Sequence, residues 1–249
     1  MSLANLKKSE ILQILFLFKL KSYSALFTSL ILVQILAMLF SLSGPISSGS
    51  FGFSGPIHVN IGYYTGDIIV GFTLVWGFVA GLLLTTKKYY MVDFLFVTTR
   101  KMSQVANLLF LVAISIIGTL TAQLAGGFIQ SVNVFFNDVK LVTNPLIISE
   151  LLLSIGSLFF YLLFMTIIGY FIGMCVQLHK VFIIVLPAIF VGTIVQAVRL
   201  GDGYNFITKS YYFIIQESIF VLFSLKIFVL ITILFVTAFL IGKRMEVQQ

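Results

Sequence analysis

Charge is what this chain has least of. Only 9% of its 249 residues are Asp, Glu, Lys or Arg, against about 25% in an ordinary soluble domain. With 60% of the residues hydrophobic and a mean hydropathy of +1.14, so few charges cannot cover a water-facing surface, and the solvent for most of the chain is lipid. Cysteine is almost missing. Cys175 stands alone in a long apolar run, which excludes a disulfide framework inside the chain and makes the thiol a small core hydrophobe. Histidine is reduced to His58 and His179, which fall in loops on opposite sides of the expected membrane. There is no H-E-x-x-H helix, no His, Cys or acid pair at metal-ligand spacing, and no G-x-x-x-x-G-K-[ST] phosphate loop. These absences predict a chain that is not an enzyme, has no catalytic residues, holds no metal or cofactor of its own and cannot hydrolyse ATP alone.

What is present is a series of apolar runs. A helix needs about 20 apolar residues to cross roughly 30 Å of hydrocarbon. Windows with at most one charge give spans at 23–42, 68–86, 105–125, 147–176, 181–198 and 219–242. Asn144-Pro145 opens the fourth as an N-cap followed by proline at the first helical position. Pro187 lies inside the fifth, and Lys226 inside the sixth. From Ile227 to Ile241 a helix rises only about 22 Å, so the last span begins before Lys226, and that lysine snorkels or faces protein. Upstream, Lys19 and Lys21 at mid-membrane would cost about 2.5–3.5 kcal/mol each, which places 4–21 as an interfacial helix. The expected fold is all-α: one polytopic membrane domain over 1–249 with six transmembrane helices, the N-terminal interfacial helix and a short cytoplasmic helix in the loop 87–103.

The net charge of +7 invites a nucleic-acid partner, but its distribution gives a different answer. Eleven of the 15 basic residues (Lys7, Lys8, Lys19, Lys21, Lys87, Lys88, Arg100, Lys101, Lys180, Lys243 and Arg244) fall on one side of a six-span arrangement. The positive-inside rule puts that side, with both termini, in the cytoplasm. Small residues recur four apart at Gly77 and Gly81, at Gly118, Ala122 and Gly126, and at Gly169 and Gly173. That spacing lets helix backbones approach closely, which favours packing inside the chain over a dimer seam.

Between the second and third spans lies Thr85–Gln104, the largest cytoplasmic loop. Tyr89, Tyr90, Val92, Phe94, Leu95 and Phe96 sit between the basic pairs Lys87-Lys88 and Arg100-Lys101. Tyr90, Phe94 and Val97 have the spacing of one helical face, and a short helix with aromatics at a membrane surface requires a partner, either membrane lipid headgroups or a groove on a protein. Six spans, a basic interfacial N-terminus and this loop, closed by Thr98-Thr99-Arg100-Lys101-Met102-Ser103, resemble the permease subunits of type-2 ABC exporters. In that family a short helix ending in Pro-x-Ser-Arg or a variant docks into a separate ATPase; Thr98-Thr99-Arg100 lacks the proline. The resemblance implies that Tyr90, Asp93, Phe94 and Arg100 contact the ATPase, which carries ATP and Mg. It also implies that a second permease copy or homologue completes the transporter. The family's re-entrant outer segment corresponds to Tyr204–Gln216, followed by Glu217 and Lys226 as a possible substrate path. The implied function is export of an amphipathic or hydrophobic substrate, a peptide by the closest analogy, across the plasma membrane of a bacterium.

Two other readings are weaker. One is a non-ABC membrane subunit, a membrane scaffold or the binding subunit of a vitamin importer, but the polar residues converging from several spans that a vitamin-binding subunit needs are not evident. Gly52-Phe53-Ser54-Gly55 is similar to the serine motif of intramembrane rhomboid proteases, but that serine lies in the Gly/Ser/Pro-rich stretch Gly44–Gly66, expected to be a flexible loop. No span carries a histidine for it. The orientation is open to a direct check. Green fluorescent protein fused after Gln249 is expected to fluoresce, and alkaline phosphatase fused there to be inactive; the opposite pair of results reverses the topology.

Overall fold

The computed structural model describes residues 8–42, 47–52, 58–63, 66–86, 100–137, 148–179, 181–185, 188 and 219–244. Its elements are α1 (Lys8–Ser22), α2 (Ser24–Leu42), β1 (Ser47–Gly52), β2 (His58–Tyr63), α3 (Asp67–Leu84), α4 (Arg100–Asn137), α5 (Ile148–Leu178) and α6 (Phe220–Arg244). Among the described residues five helices are long and apolar enough to cross a membrane: Ser24–Leu42, Asp67–Leu84, Met102–Val132, Ile148–Leu178 and Phe220–Gly242. The chain is a multi-pass membrane protein. Of the expected span 181–198, only 181–185 and 188 are described, with 182–185 helical.

The elements follow from local chemistry. α1 and α2 are separated only at Tyr23, whose amide still donates to the Lys19 carbonyl at 2.9 Å while its own carbonyl accepts from Leu26 at 2.9 Å. Lys19 is 1% exposed, so protein covers it, whereas Lys21 on the next face is exposed. α6 carries Lys226 without interruption, since lysine is a good helix former.

Two features differ from the sequence reading. The stretch Gly44–Gly66 is not all loop: β1 and β2 pair antiparallel from Ser47↔Tyr63 to Gly52↔His58. The cause is the period-two placement of Val59, Ile61 and Tyr63, residues that favour strands, which the Gly and Ser content of the stretch obscures. The third long helix extends beyond 105–125 at both ends, because no proline occurs from Arg100 to Asn137. The Gly126-Gly127 pair, a natural stopping point, does not end it. Gly126 instead receives a close neighbour: a Cβ on Gly66 would stand 3.1 Å from the Gly126 Cα.

The chain divides into two compact units, Met1–Gly77 with Val112–Leu162, and Phe78–Leu111 with Leu163–Gln249. The first has a core of Ala37, Ile69, Ala122, Ala125, Ile129 and Leu158, flanked by Met38, Ile68, Val70 and Leu74. Ala122 and Ala125 keep α4 thin where α2 and α3 pack.

In the second unit α3 and α5 meet backbone to backbone. A methyl on Gly81 would run into the Thr166 carbonyl oxygen and stand 2.9 Å from the Tyr170 nitrogen. One on Gly169 would strike the Phe78 carbonyl and come within 3.1 Å of the Leu82 nitrogen. Gly173 is closed in the same way by the Thr85 side chain. The paired positions rise together along both helices, so α3 and α5 run parallel. Lipid tails are as apolar as leucine and give no hydrophobic drive for helices to associate, so such close contact carries the packing. The glycines at 81, 169 and 173 therefore serve contacts within the chain.

Gly81→Ala and Gly169→Ala each put a methyl onto backbone that cannot move aside. Overpacking of this kind costs about 1–3 kcal/mol, so both variants are expected to unfold at lower temperature in detergent micelles. Gly71 has nothing within 4 Å of its Cβ position, and Gly71→Ala is expected to hold or gain stability through helix propensity, by about 0.5–1 kcal/mol.

Candidate functional site

The sequence points to Tyr90, Asp93, Phe94, Arg100, Glu217 and Lys226. Tyr90, Asp93, Phe94 and Glu217 lie outside the described residues. Arg100 opens α4, at the first position after the aromatic loop. Lys226 sits in the second turn of α6 and is half-buried, next to the fully buried Ile227.

Buried polar side chains within the spans form a second group. In the first unit Gln34 on α2 is buried and reaches two other helices. Its side-chain nitrogen donates to Thr121 Oγ1 on α4 at 3.0 Å and, over a longer 3.4 Å, to Thr73 Oγ1 on α3. Both threonine hydroxyls donate elsewhere: Thr73 to the Ile69 carbonyl at 2.7 Å, Thr121 to the carbonyls of Ile117 at 2.9 Å and Gly118 at 3.1 Å. Each hydroxyl is thus left as an acceptor, which sets the amide's orientation. Trp76 Nε1 on α3 donates to Ser29 Oγ on α2 at 2.9 Å, and Gln123 on α4 donates to Ser154 on α5 at 2.8 Å.

The second unit has a looser counterpart. Asn107 on α4 donates to the Tyr170 hydroxyl on α5 at 3.5 Å. The Tyr170 ring stacks on Phe235 of α6 with centroids 6.3 Å apart. Two turns further along the same face of α6, the Cβ position of Gly242 is filled by the Gln104 amide of α4.

The sequence reading missed the convergence of Gln34, Thr73 and Thr121. Gln34 is the one amide in Ser24–Leu42, a signal in an otherwise apolar span. Its partners were not readable, because threonine is common in spans and the register between helices is a tertiary fact. The convergence does not make a vitamin-type binding site. Both amide hydrogens are engaged within the protein, and no member of the cluster is ionisable. Its chemistry is that of a clamp on three helices: neutral hydrogen bonds whose alternative is an unsatisfied amide in hydrocarbon.

One buried group does not fit this pattern. Thr119 Oγ1 is buried on α4 with no hydrogen-bond partner among the described residues.

Comparison of the chain with protein-family models, with curated proteins and with solved structures finds no match in any of the three.

Gln34→Leu removes the clamp and leaves two threonine acceptors. It is expected to lower stability in micelles by about 0.6–2 kcal/mol, and a cycle with Thr121→Val is expected to show coupling. Thr119→Val removes an unpaired hydroxyl whose burial costs about 1–3 kcal/mol and is expected to leave the melting temperature unchanged or higher. A loss of stability there equal to that of Gln34→Leu would contradict this account of both residues.

Proposed function

We propose that this chain is the permease subunit of an ATP-driven exporter of the type-2 ABC class, with six spans and both termini in the cytoplasm of a bacterium. One observation carries the reading: the aromatic stretch from Tyr89 to Phe96, held between Lys87-Lys88 and Arg100-Lys101. It lies between α3, which ends at Leu84, and α4, which begins at Arg100. A connection that short, joining two membrane-length helices, transmits a push on the loop to both.

The motor is absent from the chain, since the sequence has no phosphate-binding loop. ATP and Mg therefore belong to a separate ATPase subunit, and the loop is its docking point through Tyr90, Asp93, Phe94 and Arg100. Phe94 inserts as the apolar anchor. Arg100, at the start of α4, pairs with an acidic rim on the ATPase. A second copy or a homologous chain completes the pathway, and ATP-driven closure of two ATPases moves the two loops and alternates access. Glu217 and Lys226 flank the path on the far side, where a charged group at membrane depth is functional by default. The substrate is amphipathic or hydrophobic, and a peptide fits that description.

The reading expects a neighbouring gene for an ATPase that has a phosphate-binding loop and no membrane spans, and it is tested by co-expression with that subunit. The wild-type chain is expected to copurify with that subunit, and the Phe94→Ala/Arg100→Ala double variant to lose it while keeping its melting temperature. Unchanged copurification by the double variant would remove the docking assignment.

A further inference from the structure

Two kinds of joint hold the helices of the second unit. The α3–α5 seam is backbone against backbone at Gly81 and Gly169. At Gly173 the occupant is Thr85, a β-branched side chain with a stiff first torsion, whose hydroxyl is tied to the Leu82 carbonyl at 2.7 Å. That seam gives only if backbone moves.

The joint of α4 with α6 is built differently. The three atoms nearest the Cβ position of Gly242 are the amide nitrogen of Gln104, Met174 Cε at 3.1 Å and the amide carbon of Gln104 at 3.3 Å. All three are far ends of flexible side chains, and methionine refills irregular gaps readily. The nearby Asn107–Tyr170 hydrogen bond spans 3.5 Å. Among the described spans α6 is also the least buried: 17% of the residues in its apolar stretch are buried, against 50% in that of α4. Its buried residues Phe223, Ile227, Ile231, Ala238 and Gly242 lie on one narrow stripe.

That stripe offers Gln104 a second seat. Ala238 is fully buried and stands one turn before Gly242 on the same face, with the next smallest side chain. The membrane leaves room for such a step. The 23 residues Phe220–Gly242 rise about 34 Å, close to one turn more than the roughly 30 Å of a hydrocarbon core. Side chains that exchange protein for lipid on the way lose little, because lipid tails are as apolar as leucine.

We propose that α6 shears by one turn along α4, with Gln104 passing from the Gly242 seat to the Ala238 seat, while α3 and α5 move as one piece. Packed elements switch by one-turn steps of this kind, because a close-packed contact has discrete arrangements and no continuous series between them. The step carries Lys226 with it by about 5.4 Å. The shear belongs to the chain alone; that an ATPase drives it rests on the permease reading.

The test is disulfide trapping in the full chain in native membranes, in a Cys175→Ser background, with copper phenanthroline as oxidant. Gln104→Cys is paired with Gly242→Cys or with Ala238→Cys, and Thr85→Cys with Gly173→Cys or with Gln177→Cys. Positions one turn apart differ by about 5–6 Å at Cβ, beyond the roughly 3.5–4.5 Å that a disulfide bridges, so a cysteine reaches both only across a sliding contact. Position 104 is expected to bond to 242 and to 238 at rates within about ten-fold, two registers less than about 1.4 kcal/mol apart, and position 85 to 173 alone. A 104–242 bond without a 104–238 bond would overturn the shear. So would an 85–177 bond as fast as the 85–173 bond, which would make the two joints alike. Failure of both 104 pairs, in chains that melt as the 85/173 pair does, would overturn the seat itself. In the complex with the ATPase, ATP with vanadate is expected to shift the balance between the two 104 bonds about ten-fold. No shift there, with both bonds forming in the chain alone, would count against the permease reading and leave the shear standing.

Discussion

The contact between α3 and α5 is the constraint on which the second unit depends. In water a bundle of this size would be held by burial of apolar side chains. In lipid that force is missing, because the side chains are equally well solvated when the helices separate. What remains is dispersion between closely packed atoms and hydrogen bonds that lipid cannot replace. Gly81 and Gly169 supply the first by bringing peptide groups into contact, and Gly173 by admitting the Thr85 side chain. A side chain at 81 or 169 would meet backbone on the facing helix and hold the two apart there.

The first unit uses the second kind of force. Gln34 ties α2 to α3 and α4, with Trp76–Ser29 and Gln123–Ser154 as further cross-links. The helices α3 and α5 are thus each fixed by close packing in one part of their length and by side-chain hydrogen bonds in another.

Much of the architecture was legible in the sequence, because one physical quantity dominates it. Scarcity of charge marks spans, and glycines four apart mark close packing. What escaped reading needed information that composition does not hold. The hairpin between α2 and α3 was hidden because Gly and Ser outweigh the alternation of Val59, Ile61 and Tyr63. The full length of α4 was hidden because the Gly126-Gly127 pair looks like an end and is in fact a contact point. The partners of Gln34 depend on the register of three helices, which no single span encodes. Of the candidate site, Arg100 and Lys226 were placed on helices, whereas Tyr90, Asp93, Phe94 and Glu217 fall outside the described residues and remain part of the proposal.

The central claim is that the small-residue seam closes within one chain. Cysteines at 85 and 173, in a Cys175→Ser background, test it most directly, because the Cβ position of Gly173 lies 3.0 Å from Thr85 Cβ and disulfides form between neighbouring Cβ atoms. Mild oxidation in native membranes should give an internal disulfide in a chain that still migrates as a monomer. Cross-linked dimers in place of that species, or free thiols at both positions, would contradict the claim.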